Sequence, residues 1–186
     1  MKYLHNSIIA IVLIAVVNNM CLAQSKFIDK KGIVSFEASE ETFEPVKATN
    51  NVVTAIFNSA NGEIASLVLM KGFRFKNSLM EEHFNENYIE SDKYPKAILR
   101  GVLQEFDLSS LKEESRSFIL DGTIEMRGKS KVVKVPLSLE MEGGSITVNG
   151  SFTVSASDFD IEIPSIVRKK ISEEIKVVVN FNMKKK

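Results

Sequence analysis

Cysteine, tryptophan and histidine are almost missing from this 186-residue chain, which has one cysteine, Cys21, no tryptophan, and two histidines, His5 and His83. Proline and glycine are also sparse, at 4 and 9 residues, which excludes a collagen-like or low-complexity chain. An excess of one charge is missing too. Lysine and arginine number 24 against 24 acids, so nothing resembles the basic footprint that displaces counterions from nucleic-acid phosphates, and nucleic acid is excluded as a partner. No apolar run is long enough to cross a bilayer. The longest, Ile8 to Val17, has about ten residues where a spanning helix needs about 20. It follows Lys2 and His5 and precedes Cys21-Leu22-Ala23-Gln24, with small residues at the −3 and −1 positions of a cut after Ala23. This pattern predicts a signal peptide over 1–23, a single domain over 24–186, no transmembrane span in the mature chain, and a periplasmic or secreted location. Cys21 reads poorly as a lipidation site because Met20 precedes it where a small residue is expected.

Cleavage after Ala23 removes the only cysteine, and with it any disulfide, thiolate nucleophile or cysteine metal site. It also removes Lys2, leaving acids ahead of bases by one. A Cys-His pair is then impossible, a Ser-His-Asp arrangement would have to use His83, and a zinc site built from histidines lacks ligands. No enzyme, cofactor or metal site is expected. His83 reads instead as a helix-surface residue beside Phe84. Glu81, Glu82, Glu86, Glu90 and Asp92 cluster without the ligand spacing or glycine of a calcium loop, and read as a solvated face. The basic runs Arg168-Lys169-Lys170 and Lys184-Lys185-Lys186 read the same way.

What the chain does have is strand periodicity. Val133, Val135, Leu137, Leu139 and Met141 alternate with polar residues, as do Ile146, Val148, Gly150, Phe152 and Val154, and Ile175, Val177, Val179, Phe181 and Met183. Each of these three segments has a single apolar face. Weaker candidates cover Gly32 to Ala38, Asn51 to Asn58, Glu63 to Phe75, Ala97 to Phe106 and Ser117 to Met126, giving about eight strands in all. Asn61-Gly62 and Gly143-Gly144 are hairpin signals. At Asn149-Gly150 the apolar period runs on unbroken, so one strand with a glycine bend fits better than a turn. A short helix is expected from Ser78, where Ser78 and Glu81 form a capping-box pattern and Met80, Phe84 and Tyr88 share a face, ending by Tyr94-Pro95. A second helical turn is expected over Ser165 to Ile171. Many one-faced strands without alternating helices predict a mainly all-β antiparallel fold, and the pattern leaves barrel and sandwich open.

The aromatic residues are twelve phenylalanines and three tyrosines, with no tryptophan. They could fill a core or line an apolar pocket. Sorting by apolar face gives Phe73, Phe75, Met80, Phe84, Tyr88, Val135, Leu137, Leu139, Phe152, Val179 and Phe181 as the candidates to line such a pocket.

Four segments in order carry a resemblance. They are Phe27-Ile28-Asp29 with Ile33-Val34-Ser35-Phe36; Gly72-Phe73-Arg74-Phe75 with the helical segment, Tyr94-Pro95, Ala97 and Gly101; Gly122 to Pro136; and Phe152 with Ser157-Asp158-Phe159-Asp160-Ile161, ahead of Ile175 to Phe181. In this order they resemble the YceI-like family of bacterial periplasmic lipid-binding or polyisoprenoid-binding proteins, over about Phe27 to Met183. The helical segment departs from the family in being richer in acids and aromatics. The resemblance implies an extended antiparallel eight-stranded lipocalin-like β-barrel with one or two short helices. It implies a non-enzymatic carrier whose interior holds an isoprenoid, a quinone tail or a fatty-acyl lipid, with a homodimer left open. The alternative is an envelope structural or interaction protein with a filled barrel and no ligand.

Overall fold

A computed structural model describes residues 26–39, 45–111 and 113–186. The expected signal peptide, its cleavage site and Cys21 lie outside these residues. Eight long strands and one two-residue strand form a single antiparallel sheet: β1 Lys26–Ser39, β2 Lys47–Asn58, β3 Glu63–Leu69, β4 Arg74–Phe75, β5 Lys96–Leu103, β6 Arg116–Met126, β7 Lys129–Glu142, β8 Ser145–Ser155 and β9 Ile171–Lys185. The order β1-β9-β8-β7-β6-β5-β3-β2 closes through β1 pairing with β2, and β4 appends to β2. The fold is therefore an eight-stranded barrel rather than a sandwich. Closure leaves the eight long strands without a free edge.

The strongly alternating segments extend into β7, β8 and β9, with their apolar residues inward. At the β7–β8 hairpin, Gly143 (φ 55°) and Gly144 (φ 77°) take the two left-handed positions of a two-residue turn, where a side chain would be strained. β8 runs through Asn149-Gly150 without a turn. At Gly150 an added Cβ would lie 3.1 Å from the Pro136 carbonyl oxygen and collide with Leu137, so β7 approaches closely here.

Two expectations need local correction. The run expected over Glu63 to Phe75 breaks after Leu69, because Nδ2 of the fully buried Asn50 donates to the Leu69 carbonyl at 2.8 Å and a single turn over Met70–Gly72 follows. The strand expected over Ala97 to Phe106 ends at Leu103. Over Ser165 to Ile171 the expected helical turn forms, with Arg168 N donating to the Pro164 carbonyl and Ile171 N to the Val167 carbonyl, and it does not extend into a longer helix.

The helix α1, Ser78–His83, forms where expected, but its cap is Asn77, whose side chain accepts from Leu79 N at 2.9 Å. Glu81 does not complete a capping box with Ser78. Its carboxylate accepts instead from Phe75 N and from Arg74, tying the helix to β4. After His83 the helix widens into one turn over Phe84–Tyr88, with Ile89 N donating to the Phe84 carbonyl. It ends at Glu90 (φ 54°), ahead of Tyr94-Pro95. Arg127, in the β6–β7 turn, holds this end through Glu90 and the carbonyls of Phe159 and Asp160. The Arg127 bond is the main cause that holds the Glu90 carboxyl below its ordinary value.

Candidate functional site

The inward faces of the strands do not fill the barrel evenly. Along β9, Ile175, Val177 and Val179 border open space, whereas Phe181 and Met183, the next two inward positions, are fully packed. β8 changes in the same way from Phe152 and Val154 to Val148 and Ile146, and β6 from Met126 and Ile124 to Leu120 and Phe118. One half of the barrel is thus a solid plug. Its aromatic part is a chain of rings in which Phe57 meets Phe27 at 6.4 Å and Phe106 at 5.3 Å, and Phe106 meets Phe118 at 5.7 Å.

The other half holds two chambers. The inner one has a volume of about 130 Å³ and is walled by β1, β3, β5, β6, β8 and β9. Its walls are apolar except for the hydroxyl of Ser66, an inward position of β3 whose side chain makes no hydrogen bond among the described residues. The outer chamber, about 490 Å³, lies between α1 with its following turn, the end of β1, and the segment from Ala156 to Ile175. That volume falls in the usual range for small-ligand sites, roughly 300–1,000 Å³. Phe36, Phe84, Ile89, Ile161 and Ile175 border both chambers.

Apart from Ser66, the polar side chains on the chamber walls are those of the outer one, His83, Tyr88 and Lys170. Burial pushes the Tyr88 phenol up, so it stays protonated and able to donate at neutral pH. His83 makes no side-chain hydrogen bond to a serine or carboxylate among the described residues, and no cluster of three metal-ligating side chains exists among them. No helix among the described residues is long and apolar enough to cross a membrane.

Of the residues singled out from the sequence, Phe73, Phe152 and Val179 line the inner chamber, Phe75, Met80 and Tyr88 the outer one, and Phe84 both. Val135, Leu137, Leu139 and Phe181 line neither. They belong to the plug, each at most 3% exposed, because an apolar strand face points inward along its whole length whether or not the interior is filled there. Sequence reasoning missed Phe36, which alternates with Val34 and Ala38, and Ser66, a polar residue at an inward position between Ile64 and Val68. It also missed Ile161, Ile163 and Val167, which border the chambers from a segment outside the strands.

The YceI-like domain family matches residues 27–183, nearly the whole described barrel. The chain belongs to the YceI-like family. Solved structures share its fold at low identity. A polyisoprenoid-binding domain from Saccharophagus degradans, implicated in plant cell wall breakdown, is 15% identical with a TM-score of 0.74, covering 88% of this chain and 99% of that one. BcnA from Burkholderia cenocepacia is 16% identical with a TM-score of 0.69, covering 83% and 98%. The Campylobacter jejuni YceI protein is 15% identical with a TM-score of 0.61, covering 79% and 88%. No curated protein matches the sequence. In this YceI-like chain the acid-rich helix supplies Met80, Phe84 and Tyr88 to the outer wall and turns its acids outward: Glu81 pairs with Arg74 at 3.1 Å, and Asp92, beyond it, pairs with Lys71 at 2.5 Å.

Proposed function

We propose that this protein is a non-enzymatic lipid carrier that is exported to the periplasm or secreted, and that it shelters one apolar chain, an isoprenoid, a quinone tail or a fatty-acyl group. The observation that carries this reading is the pair of adjoining, mainly apolar chambers, one inside the closed barrel and one at its mouth. A filled barrel acting only as a structural protein would not need that space. Family membership and the printed description of the Saccharophagus domain support the same chemistry. In this reading the tail lies among Phe75, Met80 and Phe84 while the polar end sits near His83, Tyr88 and Lys170. Each methylene withdrawn from water stabilises the complex by about 0.8 kcal/mol, so few polar contacts are required.

The test is native mass spectrometry and solvent extraction of the purified chain, followed by thermal melts with added fatty acids and isoprenols. A bound lipid, and a rise in Tm of about 5–10 °C at a hundredfold excess over Kd, are expected. An empty protein whose melting is unmoved by any of them refutes the carrier reading and favours the filled structural barrel.

A further inference from the structure

The two chambers meet at a wall of phenylalanines. The rings of Phe36 and Phe84 stack at 5.4 Å and 25°, and both border the inner and the outer space. Phe73 lies on the inner side, edge-on to Phe36 at 5.2 Å and to Phe84 at 5.6 Å. Phe75 lies on the outer side, 5.8 Å from Phe36 and 5.2 Å from Phe84. Beyond the inner chamber lie the packed side chains of the plug.

We infer that the Phe36–Phe84 stack is a length gate that restricts this carrier to a single short apolar chain held in the outer chamber, a longer chain entering the inner chamber only when the rings turn aside. The inference rests on the carrier reading and names the ligand class of the same site. At about 30 Å³ per small group, the outer chamber takes about 16 non-hydrogen atoms and the inner one about four. A polyprenyl chain several times that length cannot bury its far end in the barrel, because Phe181, Met183, Leu120 and Leu139 are already packed where that end would lie. The gate is built from side chains that can change rotamer without disturbing a backbone hydrogen bond. Phe84 stands on the wide turn after α1, and Phe36 on β1 beside β9, where it pairs with Val177.

The experiment is a chain-length series, saturated fatty acids from about 8 to about 24 carbons and prenols of matching length, titrated into delipidated full-length protein, its Phe84→Ala variant and the milder Phe84→Leu. Wild-type affinity should rise about fourfold per methylene up to about 16 non-hydrogen atoms and then flatten. Either variant should move the break outward by about four carbons. If Phe84→Ala does not fold, Phe84→Leu and the wild-type series still decide. Affinity that climbs through the longest chains without a break, or a break that stays in place in a folded variant, overturns the gate while leaving the carrier reading intact. Absence of binding at every length overturns both.

Discussion

The contrast between plug and chambers can be measured with one substitution made twice. Leu139, on β7, is fully buried inside the plug, whereas Leu99, on β5, is 8% exposed and borders the inner chamber. Leucine to alanine removes three carbons at either site, a transfer loss of about 2.4 kcal/mol. Measured costs for such changes run from about 2.7 to 5.0 kcal/mol, the excess growing with the cavity left behind at about 24 cal/mol per Å³. At Leu139 packed neighbours surround the side chain, so Leu139→Ala should lie near the top of that range, at about 4–5 kcal/mol. At Leu99 one side already faces a space of about 130 Å³ and has few atoms in contact to lose, so Leu99→Ala should cost about 2.5–3 kcal/mol. Urea unfolding followed by circular dichroism reads the difference. With a slope of about 2 kcal/mol per M, the Leu139→Ala midpoint should fall about 1 M below that of Leu99→Ala. Equal losses, or a greater loss at Leu99, would refute the claim that the barrel is solid at one end and hollow at the other.

Two further outcomes follow from the polar anchors. Asn50→Ala should lower stability by about 1–3 kcal/mol in thermal or urea unfolding, since Asn50 Nδ2 holds the Leu69 carbonyl at 2.8 Å and its Oδ1 accepts from Val52 N at 3.1 Å in a fully buried site. Arg127→Met should lower Tm most at neutral pH: Glu90, held below its ordinary 4.5 chiefly by the Arg127 bond, stabilises the fold above that value and loses this effect as pH falls through its folded pKa. The gap between variant and wild type should therefore narrow in acid, the bonds to the Phe159 and Asp160 carbonyls remaining, and a gap constant from pH 7 to the acid limb would contradict it.

The positions of the eight long strands were largely legible, because alternation at Val133 to Met141, Ile146 to Val154 and Ile175 to Met183 is a local property of a pleated chain with one wet face. Closure was not, since the β1–β9 and β1–β2 pairings depend on curvature that no single strand encodes. The cap at Asn77 was missed because Ser78 and Glu81 offered an equally good pattern, and only the nearness of Arg74 and the Phe75 amide takes Glu81 away from it. For the site, Met80, Phe84 and Tyr88 could be grouped from helical spacing alone. The division of Phe152 and Val179 from Leu139 and Phe181 could not. All four are inward apolar residues, and only the sum of neighbouring side-chain volumes decides whether space is left beside them.

The seam between the first and last strands also sets when a cavity can exist. Val34 faces Val179 and Phe36 faces Val177 across it, all four bordering the inner chamber, and Asp29 in the β1 bulge accepts from Asn182 N at 2.7 Å. Val34 and Val179 are about 145 residues apart, and bringing such distant partners together costs an unfolded chain about 2.4 kcal/mol more than closing a ten-residue hairpin. Local hairpins such as β6–β7 and β7–β8 therefore have every reason to form first, and β9 docks on β1 late. Until it does, the inner chamber is open along this seam. A ligand of the proposed kind would therefore load after this pairing, and its binding would make the seam harder to reopen.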